Sequence, residues 1–100
     1  MSSPLIVGLL RVVIHMPDSG SLKSKRQIVS GLVRRLRQEF KVSAAEVGEL
    51  DRWQLAEVAV ATVSGDGRQV DRVLAAALAY IESHSDGSRI TDVSTEHVPL

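Results

Sequence analysis

Two stretches of this chain space their apolar residues three and four apart, and four others alternate or run apolar without that spacing. The order in which these two kinds of segment follow one another constrains the fold more than any other feature. Spacing by three and four belongs to a helix with one buried side, whereas short β-branched or alternating runs belong to strands.

The first run, Leu5 to His15, reads LIVGLLRVVIH. Ile6, Gly8, Leu10, Val12 and Ile14 share one parity, and Leu5, Val7, Leu9, Arg11, Val13 and His15 share the other. Both sets are mostly apolar, so a central strand is expected. Gly8 weakens such a strand unless another element packs closely over it. Met16 to Gly20 is a loop, with Pro17, Asp18, Ser19 and Gly20 as turn formers, and Ser21 is the expected N-cap of a helix. In that helix Ile28, Val29, Leu32, Val33, Leu36 and Phe40 keep helical spacing. Gly31 interrupts it at a cost of about 0.5–1 kcal/mol relative to Ala, which close packing onto the sheet would explain.

Val42 to Gly48 and Gln54 to Ser64 read as two strands joined by a short connection. On the second of them, Ala56, Val58, Val60 and Thr62 form one face, and Glu57, Ala59, Ala61 and Val63 the other. Asp66 with Gln69 suits a capping box, and Val70, Val73, Leu74, Ala77, Leu78 and Ile81 mark a second amphipathic helix. Ala75, Ala76 and Ala79 leave its outer face smooth. After a turn at Asp86 and Gly87, Arg89 to Val98 is a polar last strand, suited to a sheet edge.

Strand, helix, strand, strand, helix, strand is the ferredoxin-like βαββαβ order. It predicts an α+β fold, a four-stranded antiparallel sheet with two helices on one face. Right-handed crossovers put the first and third strands in the centre. One domain over residues 1–100 is expected at this length. Ile28, Leu32, Leu36, Val70, Leu74, Ala77 and Ile81 are expected between helices and sheet. Leu32→Asp or Leu74→Asp should unfold the chain, because an unpaired carboxylate is costly to bury.

Charge is unevenly spread. Residues 1–41 hold eight basic and two acidic side chains, and residues 42–100 hold four basic and ten acidic ones. Ser21 to Lys41 alone carries seven of the twelve Lys and Arg residues. Asymmetry of this kind marks either a nucleic-acid partner or two halves that neutralise each other on folding. Acids are favoured in a helix's first turn, yet Lys23, Lys25 and Arg26 occupy it here. A cationic first turn beside free N–H groups suits an external anion. At about 100° per residue, Lys23, Arg26, Arg34, Arg37 and Lys41 form one stripe, with Ser30 on the same line. The alternative is a basic face that only solubilises the helix.

Lys23, Lys25, Arg26, Arg34, Arg37 and Lys41 are therefore the candidate phosphate- or RNA-binding residues. Replacing Lys23, Lys25 and Arg26 together by Gln should weaken RNA binding and leave stability unchanged or higher. If these residues serve the fold instead, they hold a structural anion or an internal acid such as Asp18 or Glu49. Leu5, Val7, Leu9 and Val13 are the candidate dimer or partner face, an apolar sheet surface that the helices leave open. The alternative is a C-terminal tail, Val98 to Leu100, folded back over it.

Catalytic patterns are thin, and no enzyme is expected. The chain has no Cys, which removes disulfides and thiolate chemistry. His15, His84 and His97 lack metal-ligand spacing, so neither a metal nor a cofactor is expected. Glu46 and Glu57, on neighbouring strands, read as an ion-paired or solvated edge rather than an acid–base pair. Gly65 to Gly67 lacks the Lys and Ser/Thr of a phosphate loop. Phe40, Trp53 and Tyr80 are too few for a base-stacking sheet, so phosphate contact is favoured over base reading. No apolar run reaches the roughly 18 residues that span a bilayer. Leu5 to Ile14 is broken by Arg11 and lacks a basic leader, so a cytoplasmic location is expected.

S-L-K-x-K-R at Ser21 to Arg26, L-x-x-x-F-K-V-S-x-A-E-V from Leu36 to Val47 and W-Q-x-A-E from Trp53 to Glu57 complete the reading. Together these motifs resemble the YlxP-like family of small bacterial proteins, from the first strand to about Ser64 and more loosely beyond. The resemblance implies a ferredoxin-like fold and no assigned activity. Genes of this family lie near those for transcription termination, translation initiation and ribosome maturation, which implies work around RNA or the ribosome.

Overall fold

In the computed structural model, β1 (Ile6–His15) pairs on both of its sides, with β3 (Leu55–Ser64) and with β4 (Arg89–Pro99), antiparallel each time. β2 (Ser43–Gly48) adds to the far side of β3, so the sheet order is β2-β3-β1-β4. Residues 3–16, 20–84 and 87–100 are described. With α1 (Leu22–Phe40) and α2 (Gly67–Ser83) between the strands, this is the ferredoxin-like arrangement, with β1 and β3 central. Every element expected from sequence is present, and its ends agree within about two residues, the usual uncertainty of boundaries. The turn residues Pro17 to Ser19 and Asp86 lie outside the described residues.

Ser21 caps α1, its Oγ accepting from the Ser24 N–H at 3.1 Å. Asp66 caps α2, but its Oδ1 accepts from Arg68 N–H at 2.9 Å rather than from Gln69. α1 ends at Lys41, whose left-handed backbone (φ 53°) lets its N–H donate to the Arg37 carbonyl. Such an αL cap satisfies one of the orphan carbonyls at the helix end.

The core lies between the helices and one sheet face. Leu10, Val12 and Ile14 of β1 and Ala56, Val58 and Val60 of β3 meet Leu32 and Leu36 of α1 and Val70, Leu74, Ala77 and Ile81 of α2. Each large aliphatic side chain so buried stabilises the fold by about 1.5–3 kcal/mol. Ile28 departs from expectation and is 51% exposed. The buried line of α1 runs Lys25, Val29, Leu32, Val33, Leu36, and Ile28 sits at its margin.

Gly8 faces this core, and α2 lies directly over it. A Cβ at position 8 would stand 2.3 Å from Val70 Cγ1 and 3.1 Å from Leu74 Cδ1. The close approach that a strand glycine implies is thus made by α2. α2 packs on β1 and β3, and α1 on β2, while β4 is the far edge of the sheet and exposed along most of its length.

Candidate functional site

The basic residues of α1 divide into those that hold the protein together and those that face out. Lys25 belongs to the first group and is fully buried. Its Nζ donates to the Glu49 carbonyl at 2.5 Å and to the Arg52 carbonyl at 2.7 Å. The Glu46 carboxylate stands 2.9 Å away. That contact lacks hydrogen-bond geometry and is coulombic, for Glu46 Oε2 is itself buried without a hydrogen bond. Lys25 therefore ties α1 to β2 and to the β2–β3 connection, where Glu49 holds a positive φ of 59°.

This corrects the expectation for Lys25. A fully buried ammonium that donates to two backbone carbonyls and stands against a carboxylate cannot receive an external phosphate. The stability forecast for the combined Gln replacement of Lys23, Lys25 and Arg26 is corrected with it, because losing Lys25 strips a buried carboxylate and two carbonyls of their partner. An internal acid is indeed the partner, but it is Glu46; Glu49 contributes its backbone carbonyl, and Asp18 lies outside the described residues.

Arg37 is shared between the two roles. Its Nε and Nη2 donate to the Ala44 carbonyl at 3.0 and 2.6 Å, which occupies an acceptor on the edge strand β2. Lys23, Arg26, Arg34 and Lys41 are exposed, and among the described residues no carboxylate pairs with them. Arg26, Ser30 and Arg34 form a ridge along α1 with an open hollow on either side. One hollow, about 570 Å³, runs between α1 and β2 past Val29, Val33, Arg37 and Glu46. The other, about 470 Å³, lies on the outer helix surface and is lined also by Lys23, Gln27 and Gly31. Gln27 escaped the sequence reading, and Gly31 figures there only as an interruption of the helix, although helical projection puts both beside the basic stripe.

The second candidate surface is the sheet face opposite the helices. Val7, Leu9, Arg11 and Val13 of β1 lie there beside Val63, Ala61, Ala59 and Glu57 of β3. Leu9 is 38% and Val63 61% exposed, with Leu5 and Val47 also open. Arg11 Nε pairs with Glu57 Oε2 across this face at 3.3 Å. The C-terminal tail does not cover it. Val98 and Pro99 pair with Val7 and Ile6, and the Leu100 N–H donates to the Leu5 carbonyl, so the tail lengthens β4 alongside β1.

Residues 7–95 match the family described as "Protein of unknown function (DUF503)". The chain belongs to the DUF503 family. It is 36% identical over 84 residues to the uncharacterized protein YlxP of Bacillus subtilis (strain 168), spanning 84% of this chain and 91% of that protein. Among solved structures it is similar to the de novo designed protein Foldit4, at TM-score 0.55 and 16% identity, covering 94% of this chain and 96% of that one. It is also similar to part of the VAO-type flavoprotein MtVAO615 of Myceliophthora thermophila C1, at TM-score 0.56 and 17% identity, covering 95% of this chain but 16% of that one. At such identities the two structures speak for the fold alone.

In this DUF503 chain, three of the six charged residues in the family-like motifs, Lys25, Glu46 and Glu57, are engaged internally. Lys25 meets Glu46, and Glu57 meets Arg11. Glu46 and Glu57 do not form a pair with each other. Glu46 sits opposite Val58 in the ladder, and Glu57 is one residue away with the opposite parity, so the two carboxylates occupy opposite sheet faces. His97 pairs with Asp71 of α2 at 2.8 Å, and His84 stacks on Tyr80 with ring centroids 3.9 Å apart. Among the described residues no group of three His, Asp or Glu side chains is placed to hold a metal. No helix of the described residues is long and apolar enough to cross a membrane.

Proposed function

We propose that this DUF503 protein is a non-enzymatic cytoplasmic accessory protein that holds structured RNA, free or in the ribosome, by its phosphates. The contact is made by the outer surface of α1. The observation that carries this reading is that Lys23, Arg26 and Arg34 stand exposed around one hollow with no carboxylate among its lining residues. From Arg26 to Arg34 the ridge is about 12 Å long at about 1.5 Å per residue. Duplex nucleic acid carries one charge per about 1.7 Å of axis, so a ridge of that length meets several phosphates. Lys41 continues the line, Arg37 adds to it from its place on Ala44, and Lys25 takes no part.

The test is binding of structured ribosomal RNA at about 50 mM salt, repeated as salt is raised. Wild type binds, and combined Gln replacement of Lys23, Arg26 and Arg34 weakens binding and lowers the salt slope by about three units. Folding is unaffected, since among the described residues none of the three makes an internal ion pair. Equal binding by both proteins removes α1 as the contact surface.

A second reading has its own observation. The open sheet face has an apolar centre at Val7, Leu9, Ala59, Ala61 and Val63. Surfaces of this kind mark interaction sites. On this reading the chain is a structural or interaction protein that forms a homodimer or binds a protein partner through that face, and the basic helix has no nucleic-acid role.

A further inference from the structure

We infer that Gly31 is the seat of the RNA backbone on α1, the point where one phosphodiester of a double-helical RNA lies against the helix. This rests on the phosphate-binding reading of α1. Gly8 and Gly31 each stand inside a regular element, and of these two only Gly8 is explained from within. At Gly8 a Cβ would collide with Val70 and Leu74. At Gly31 a Cβ would meet nothing closer than Arg35 Nη1 at 3.8 Å. Its φ is not positive either, so the backbone conformation is open to any residue. Inside the protein, then, Gly31 weakens α1 and relieves no clash.

Its surroundings give it a use from outside. Gly31 lies in the hollow whose other walls are Lys23, Arg26, Gln27, Ser30 and Arg34. Three are cations, two are neutral hydrogen-bond donors, and none is an acid. A missing side chain in the wall of this hollow lets an anionic group come close to the helix surface while Arg26 and Arg34 reach it from one side and Lys23 from its N-terminal end. The wall contains no aromatic residue, so nothing in it stacks a base. Contact with the sugar–phosphate backbone of a duplex is the mode that suits it.

Gly31→Ala and Gly31→Gln separate this seat from the charges around it. Both should raise Tm, Gly31→Gln by about 2–6 °C, since they remove a mid-helix glycine. Gly31→Gln should nevertheless bind an RNA hairpin about tenfold more weakly than wild type at low salt, a loss of about 1.4 kcal/mol. Gly31→Ala should fall between. If Gly31→Gln binds as wild type does while the Lys23, Arg26 and Arg34 replacement does not, the seat is elsewhere on α1, and the inference fails without the functional reading. A wild type that binds no RNA at low salt overturns both. A lowered Tm for Gly31→Ala would show that the fold itself requires the glycine, and an acidic peptide that displaces the hairpin at equal concentration would remove the phosphate assignment.

Discussion

Lys25 Nζ lies 2.9 Å from Glu46 Oε2, and both atoms are shut away from solvent. The pair joins the first turns of α1 to the edge strand β2. It also brings the Glu49 and Arg52 carbonyls onto the same ammonium. A lone charge at either position would be strongly disfavoured, so each residue depends on the other.

Lys25→Met keeps the length of the side chain and removes its charge and donors. It leaves the Glu46 carboxylate and two carbonyls without their partner. Urea denaturation should show a loss of about 3–5 kcal/mol. A loss below about 1 kcal/mol, the scale of an exposed ion pair, would mean that water replaces the ammonium without difficulty.

Gly8→Ala places a methyl group against Val70 and Leu74, the first at 2.3 Å before relaxation. α2 must then move off the sheet or its side chains must leave their rotamers. Overpacking of this kind costs about 1–3 kcal/mol, read as a lower urea midpoint with unchanged slope. An unaltered midpoint would show that α2 slides freely over β1.

Lys41 adopts a left-handed backbone at the end of α1. Glycine meets no Cβ penalty there. Lys41→Gly should raise stability by about 0.5–1 kcal/mol, and it should weaken RNA binding by the contribution of one charge. A stabilised variant with unchanged RNA affinity would confine the phosphate contact to the ridge near Arg26 and Arg34.

Leu9 and Val63 are exposed on the open sheet face, so changing both to Lys leaves the core intact. Light scattering should give wild type the mass of two chains and the Leu9→Lys, Val63→Lys variant the mass of one. Wild type at the mass of one chain at every concentration would exclude the sheet-face dimer. A variant that stays dimeric would move the contact to another surface, β4 among them.

What the sequence determined by itself was set by local rules. Alternation and helical spacing identified every strand and helix, and right-handed crossovers, in agreement with the apolar character of β1 and β3, placed those two strands in the centre of the sheet. Ser21 and Asp66 announced the helix starts, because a cap bonds within three residues of itself. The openness of the face bearing Leu5, Val7, Leu9 and Val13 followed from two helices crossing to one side. The tertiary structure decided what depends on residues far apart in sequence. Lys25 counted as one more surface cation, although its spacing from Val29, Leu32 and Leu36 put it on the buried line. Only the packing of α1 on β2 brings Glu46, twenty-one positions later, within reach of it. Likewise Gly8 and Gly31 look alike in sequence, each interrupting a regular element. The helix that crosses above one and the open space above the other make the first a packing requirement and the second a vacancy on a basic surface. Periodicity fixes which way a side chain points, but its partner is fixed by which elements the fold lays against it.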